Sequence, residues 1–193
     1  MMRRWNLSVG VGLAVLLVGG LVARSSFQRV EAMQKAGNQM PVYQVDPMWP
    51  QSLPNHWIIG SAIGVAADAQ DHIWILHRPA TVAEGERSAA LNPPAALCCI
   101  PAPPVLEFDQ QGKLVQGWGQ GSFTDFTDWP REPHGIFVDH QDNVWIGSYN
   151  RHRVMKFTRD GKLLLTLGEY EKTGGSADTH LLGGPSGIWV DPR

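Results

Sequence analysis

The chain has 193 residues, a formal net charge of -2 and only 18% charged residues. That length suits one domain, and the near-neutral balance offers no electrostatic footprint for nucleic acid, which is excluded as an expected partner. Glycine (21), proline (14) and tryptophan (8) are frequent, a mixture that fits short strands and tight turns better than a helical bundle.

Met1-Met2-Arg3-Arg4-Trp5 is followed by an uncharged apolar run from Leu7 to Ala23, and then by Arg24-Ser25-Ser26. A positive start ahead of an apolar stretch is an export signal. The run is long for a signal core and at the short limit of a membrane span. Residues 1–24 therefore read either as a signal peptide, with Ala23 and Ser25 as a weak cleavage site, or as an uncleaved hydrophobic helix that anchors the chain in the membrane with Arg3 and Arg4 on the cytoplasmic side. A buried soluble helix is the remaining alternative. Under the first two readings the rest of the chain is exported, to the periplasm or the extracellular space. Residues 25–40 form a polar stalk, and residues 41–193 carry the folded part. Val42 to Trp57 is expected to supply one lone strand and a proline-rich approach.

Two alignments of the chain with itself reveal a repeat. "IGVAADAQDHIWIL" (Ile63 to Leu76) matches "HGIFVDHQDNVWIG" (His134 to Gly147), with Gly64 on Gly135, Asp68 on Asp139, Asp71 on Asp142 and Trp74 on Trp145. "VLEFDQQGKLVQGWG" (Val105 to Gly119) matches "VMKFTRDGKLLLTLG" (Val154 to Gly168) at a constant offset. A third copy begins at "GPSGIWVDP", Gly184 to Pro192. The second copy predicts strands at Gly135 to Val138, Val144 to Gly147, Val154 to Phe157 and Leu163 to Leu167, separated by turn signals such as Asp160-Gly161. Four short antiparallel strands per repeat is the pattern of a β-propeller blade, so the fold class is all-β. The count is two blades and the start of a third, short of the roughly four that close a ring. The first copy carries an insertion, residues 79–104, rich in proline and expected to be an irregular loop rather than added sheet.

Cys98 and Cys99 lie in that insertion and are the only cysteines in the sequence. A ring closed between neighbours would be strained and easily reduced; a pair of free thiols is the alternative. Two cysteines fall short of a zinc set.

The pattern "PHGIFVD…NVWIG…NRHRVMKF…GKLLLTLG", together with "IWILHRP", resembles the NHL repeat, and within that group it looks most like the peptidyl-α-hydroxyglycine α-amidating lyases and their exported bacterial relatives. The resemblance runs from about Val42 to the end of the chain. It implies a six-bladed NHL propeller that cleaves an α-hydroxyglycine peptide to an amide and glyoxylate, with zinc in the central channel on histidines from three blades and a structural calcium deeper in. The "PHG" histidine carries onto His134 as a zinc ligand, and the "HRP" arginine onto Arg78 as the catalytic arginine. The backbone carbonyls of Val65 and Ile136 correspond to calcium ligands. The remaining zinc histidines, the catalytic tyrosine and the calcium carboxylate belong to later blades and have no counterpart here.

The residues themselves leave two function classes open. One is a metal-dependent, lyase-like enzyme whose propeller channel takes a peptide or other small substrate. The other is a non-catalytic propeller that binds peptide, glycan or protein through loops such as residues 79–104; fold alone does not choose. A lone His134 cannot bind zinc without partners from other blades, and its alternative is a channel histidine bonded to water or backbone. Arg78 either meets an anionic group at the channel mouth or forms a strand-end ion pair. His77 and Arg78 point to opposite faces by strand alternation, His152 reads as structural, and His56, His72, His140 and His180 sit in turns or loops with no partner spacing. Trp74 and Trp145 read as packing residues between sheets.

The leader is directly testable. Residues 1–40 fused to a reporter active only outside the cytoplasm should give signal, and replacing Leu16 and Leu17 by Lys should abolish it, since each central charge costs about 2.5–3.5 kcal/mol on insertion. Undiminished signal from the double mutant would contradict the assignment.

Overall fold

The computed structural model describes residues 43–119 and 132–192; the expected hydrophobic helix at 1–24 and stalk at 25–40 lie outside the described residues. No helix among the described residues is long and apolar enough to cross a membrane. The fold is all-β. Pro47–Arg193 forms one compact unit.

Sheet one contains β2 (Ser61–Ala67), β3 (Ile73–Arg78), β5 (Val105–Phe108) and β6 (Leu114–Trp118), hydrogen-bonded in the order β2-β3-β5-β6. Sheet two contains β7 (Pro133–Val138), β8 (Val144–Ser148), β9 (Arg153–Phe157) and β10 (Leu163–Leu167), again with neighbours in chain order. Both are antiparallel meanders. The four strands expected in the second copy are present, with ends shifted by at most two residues.

One turn recurs at four of the hairpins, all but β8–β9 and the one carrying the insertion. A first residue donates its N–H to the carbonyl four residues on, while the fourth residue donates back to the first; this pairs Asp68 with His72 and Asp71, Asp109 with Lys113 and Gly112, Asp139 with Asn143 and Asp142, and Thr158 with Lys162 and Gly161. The fourth residue is left-handed in each: Asp71 at φ 59°, Gly112 at 76°, Asp142 at 60° and Gly161 at 89°. Aspartate and glycine are the residues that tolerate this conformation. The first side chain then caps the turn, as when Asp109 Oδ1 accepts the Lys113 N–H at 2.9 Å and Thr158 Oγ1 accepts that of Lys162 at 2.9 Å.

The core lies between the sheets. Trp74, Leu76 and Val105 of sheet one meet Ile136, Val138, Val144, Ile146, Met155 and Phe157 of sheet two. Period-two alternation sends the intervening residues of β5 to separate fates: Leu106 and Phe108 face away from sheet two and join a second cluster with Ala102, Trp49, Leu53 and Trp57. The edge strands β2 and β7 approach so closely at Gly64 that an added Cβ would lie 3.0 Å from Ile136 Cγ2 and 3.3 Å from Ile136 N.

The two clusters share one device. Trp118 packs on Phe157 at 5.4 Å between ring centroids, and Trp49 packs on the repeat-equivalent Phe108 at 5.7 Å. Each tryptophan also lies against the left-handed turn glycine of the sheet that carries its phenylalanine, Trp118 over Gly161 and Trp49 over Gly112. Segment 47–57 thus covers the outer strands of sheet one as the end of β6 covers those of sheet two. Toward the inner edge this cover stops: Val65 is 69% exposed where its equivalent Ile136 is 9% exposed.

Two expectations change. The insertion does add sheet at its end, because β4 (Ile100–Pro101) pairs in parallel with the lone strand β1 (Trp57–Ile58). Backbone groups at His56 and Ile58 were open at that edge, and Ile100 N and Ala102 N donate to their carbonyls at 2.9 and 2.8 Å. Upstream the insertion forms three single 3-10 turns at Pro79–Thr81, Glu84–Glu86 and Ser88–Ala90. The third copy, residues 184–192, forms no strand. It runs over sheet two instead, with Ser186 O and Pro185 O filling the space a Cβ would need at Gly135 and Gly147, and Trp189 5.1 Å from Phe137. His152 holds it there, accepting the Gly184 N–H on Nδ1 at 3.2 Å, in keeping with a structural role.

Gly161 combines both constraints, a left-handed backbone and a Cβ position 2.7 Å from Trp118. Gly161→Ala should therefore destabilise the fold by more than about 1 kcal/mol, read as a lower urea midpoint with unchanged slope. An unshifted midpoint would show that the turn and its tryptophan do not set stability.

Candidate functional site

The end of β3 and the start of β7 meet because their sheets pack edge to edge at Gly64. There the Arg78 guanidinium, half-buried, donates from Nη2 and Nε to Pro133 O at 3.1 and 3.3 Å. Arg78 therefore lies against the residue that precedes His134. Among the described residues its partner is this backbone carbonyl and not the carboxylate of a strand-end ion pair. His77, its neighbour, turns to the opposite face and is fully buried. Gly60 N donates to His77 Nδ1 at 3.1 Å, so Nε2 carries the proton and donates to Pro103 O at 2.8 Å. Burial holds this imidazole below its ordinary pKa, against the opposing pull of the Pro103 carbonyl.

The His134 ring is exposed and lies 5.7 Å from that of Tyr149. Tyr149 follows β8 at the repeat position that Arg78 occupies at the end of β3, an equivalence readable from the aligned copies and missed by a search for charged groups. Asn150 Nδ2 donates to Glu132 Oε2 at 2.9 Å beside them. Among the described residues His134 is grouped with no further His, Cys, Asp or Glu donors, so the residues present do not make a zinc site around it. Val65 and Ile136 sit on the edge strands β2 and β7, paired inward with Ile75 and Ile146.

A second polar cluster joins the sheets. Glu107 is fully buried; its Oε1 lies 2.6 Å from His72 Nδ1 and also accepts from Arg159 Nη2, while Oε2 accepts from Gln116 Nε2 at 2.6 Å. The short carboxylate contact makes His72 Nδ1 a donor. Arg159 comes from the outer turn of sheet two and also donates to Asp68 Oδ2 at 2.8 Å and Gln70 Oε1 at 3.1 Å, with its guanidinium 5.3 Å over the Trp74 ring. Burial alone would lower the Arg159 pKa, but the hydrogen bonds and charges of Glu107 and Asp68 raise it above the ordinary value. Asp68, His72 and Glu107 present ligand atoms within 4.8 Å of one another, yet the cation set against the two carboxylates is the Arg159 guanidinium. His72, expected to stand without partners, is thus part of an inter-sheet clasp.

Sheet two carries the same device with its own cation. Trp145 Nε1 donates to Asp139 Oδ2 at 2.8 Å, as Trp74 Nε1 does to Asp68 Oδ2 at 3.0 Å. Lys156, at the repeat position of Glu107, lies 3.4 Å from Asp139 and 5.0 Å over the Trp145 ring. Trp74 and Trp145 are therefore hydrogen-bond donors as well as packing residues.

Over 61 residues the chain is 41% identical to peptidyl-alpha-hydroxyglycine alpha-amidating lyase 1 of Drosophila melanogaster, a stretch of 30% of this chain and 10% of that protein. The chain spans about a tenth of the length of that curated relative. No family model matches it. Among solved structures, a streptogramin B lyase superposes with a TM-score of 0.35 at 9% identity, over 62% of this chain and 28% of that one. A gluconolactonase from Xanthomonas campestris gives 0.35 at 18% identity, over 67% and 31%. A luciferin-regenerating enzyme gives 0.36 at 18%, over 56% and 30%.

The Asp139 cap predicts an acid response. Burial raises its pKa, but hydrogen bonds from Trp145 Nε1, from the amides of Asn143 and Gln141 and from the Asn143 side chain outweigh that and hold it at about 2, below the ordinary carboxylate value of 3.8. The folded value is the lower one, so this carboxylate adds stability above about pH 4 that is lost as the pH falls toward 2, on the order of 2 kcal/mol. Denaturant unfolding at pH 6 and pH 2.5 should show the loss, and Asp139→Asn should be less stable at pH 6 and lose less on acidification. An equal acid loss in the variant would contradict the role.

Proposed function

We propose that the chain is part of an exported NHL-type propeller with a lyase-like channel, which in a protein supplying the remaining blades cleaves the C–N bond of a peptidyl-α-hydroxyglycine. The observation that carries this reading is the 61-residue stretch 41% identical to an amidating lyase. In the reaction the α-hydroxyl loses its proton, the C–N bond breaks, the departing nitrogen takes a proton to become an amide, and glyoxylate is left. Arg78 is the residue of this chain suited to the substrate's carboxylate or to developing negative charge, because a guanidinium makes two-point hydrogen bonds to such groups. Its bonds to Pro133 O aim it at the junction beside His134. His134 serves as one donor of a metal set completed by other blades, and zinc suits its neutral imidazole. Calcium on the carbonyls of Val65 and Ile136 fits two edge strands that run close together at Gly64.

The competing reading, a non-catalytic binding module, draws on the insertion, which holds Leu91 and Leu97 exposed (39% and 89%) on a short-turned loop. Export by residues 1–24, as a signal peptide or a membrane anchor, remains part of the proposal in either form.

The test is incubation of the full-length protein with a peptidyl-α-hydroxyglycine and quantification of glyoxylate. The lyase reading expects glyoxylate in step with amide, and a kcat for Arg78→Ala lower by about a hundredfold or more, the usual loss for one anion-stabilising donor. Peptide binding without glyoxylate above the uncatalysed rate would establish the binding module instead.

A further inference from the structure

The insertion ends in a feature that the lyase reading does not use. Cys98 and Cys99 are bonded to each other. Neighbouring Cα atoms are at most about 3.8 Å apart, whereas disulfides settle at about 4.4–6.8 Å between Cα atoms. Adjacency in the sequence alone therefore strains the bond, and strained or exposed disulfides are the labile ones.

The surroundings differ on the two sides. Downstream the backbone is tied down: Ile100 N and Ala102 N donate to His56 O and Ile58 O at 2.9 and 2.8 Å, and Pro103 O accepts from buried His77. Upstream, residues 91–97 are all exposed, with Ala95 N bonded to Ser88 O at 2.9 Å. Cys98 belongs to this exposed side, and Cys99 is half-buried against the anchored one. A dissolved thiol can reach the first sulfur more readily than the second, and the rest of the fold does not depend on the bond, because β1, β4 and the second core cluster hold the downstream end.

We propose that Cys98–Cys99 is a reversible thiol–disulfide exchange site for small thiols and disulfides, with Cys98 Sγ as the sulfur attacked. A thiolate bonds to Cys98 Sγ, the Cys98–Cys99 bond breaks, and Cys99 leaves as a thiolate that takes a proton. A second thiolate then attacks the small-molecule sulfur of that mixed disulfide and releases Cys98. Two thiols are oxidised to one disulfide, and the protein disulfide is reduced to a dithiol. The reverse sequence, with a small disulfide as oxidant, closes the ring again.

The test equilibrates the folded full chain with graded mixtures of reduced and oxidised glutathione, quenches in acid, alkylates free thiols and reads intact mass, with far-UV circular dichroism recorded in parallel. The proposal expects molecules with either no alkyl groups or two, a switch between them within the series, and an unchanged spectrum. Cys99→Ser, which keeps the exposed sulfur, should form a glutathione adduct several-fold faster than Cys98→Ser. A pair that stays bonded at every ratio until denaturant is added would overturn the proposal. So would a pair that stays as a dithiol throughout, and equal adduct rates would overturn the assigned order of attack.

Discussion

The charge of Arg159 holds the two sheets in one relation. Glu107 is fully buried in sheet one and Asp68 beside it nearly so, and a buried carboxylate without a cation is among the costliest things a core can hold. Sheet one supplies no Lys or Arg to that place. The cation comes from the outer turn of sheet two, so the acid pair gains its guanidinium only when the sheets are docked. In the same docked arrangement the inner edge strands β2 and β7 meet at Gly64. That contact in turn carries Arg78 to Pro133 O. The candidate site and the clasp both depend on the two sheets being docked.

The repeat is uneven where it matters most. Positions that pack are kept: Phe108 and Phe157, Trp74 and Trp145, and the left-handed turn residues fill the same roles in both units. Positions that carry charge diverge. Glu107 is replaced by Lys156, so the first unit needs a cation from its neighbour and the second brings its own. Unit one consequently accepts a neighbour with an arginine in its outer turn, and the repeat gains an order along the chain.

Much of the fold is legible in the sequence because strand alternation and the turn signature Asp-x-x-Asp or Asp/Thr-x-x-Gly depend on local chemistry. The strands of the second unit follow from these rules alone. What escapes is long-range. His72 looks unpartnered because Glu107 and Arg159 lie far away in sequence and meet it only after docking. The parallel pairing of β1 with β4 joins two segments with no shared pattern. Tyr149 was recoverable by aligning it with Arg78, but an uncharged side chain raised no signal. His134 and Arg78 were assigned by resemblance, and their proximity through Pro133 is a matter of packing that no motif states.

A double-mutant cycle between Arg159 and Glu107 tests the clasp most directly. Arg159→Leu, Glu107→Gln and the double variant would be compared by urea unfolding. The account predicts a coupling energy of about 1–3 kcal/mol, since Arg159→Leu strands the buried Glu107 carboxylate, whereas Glu107→Gln leaves Arg159 with Asp68 as its remaining anion. Additive losses, with coupling near zero, would contradict the claim that the Arg159–Glu107 pair holds the sheets in their relation.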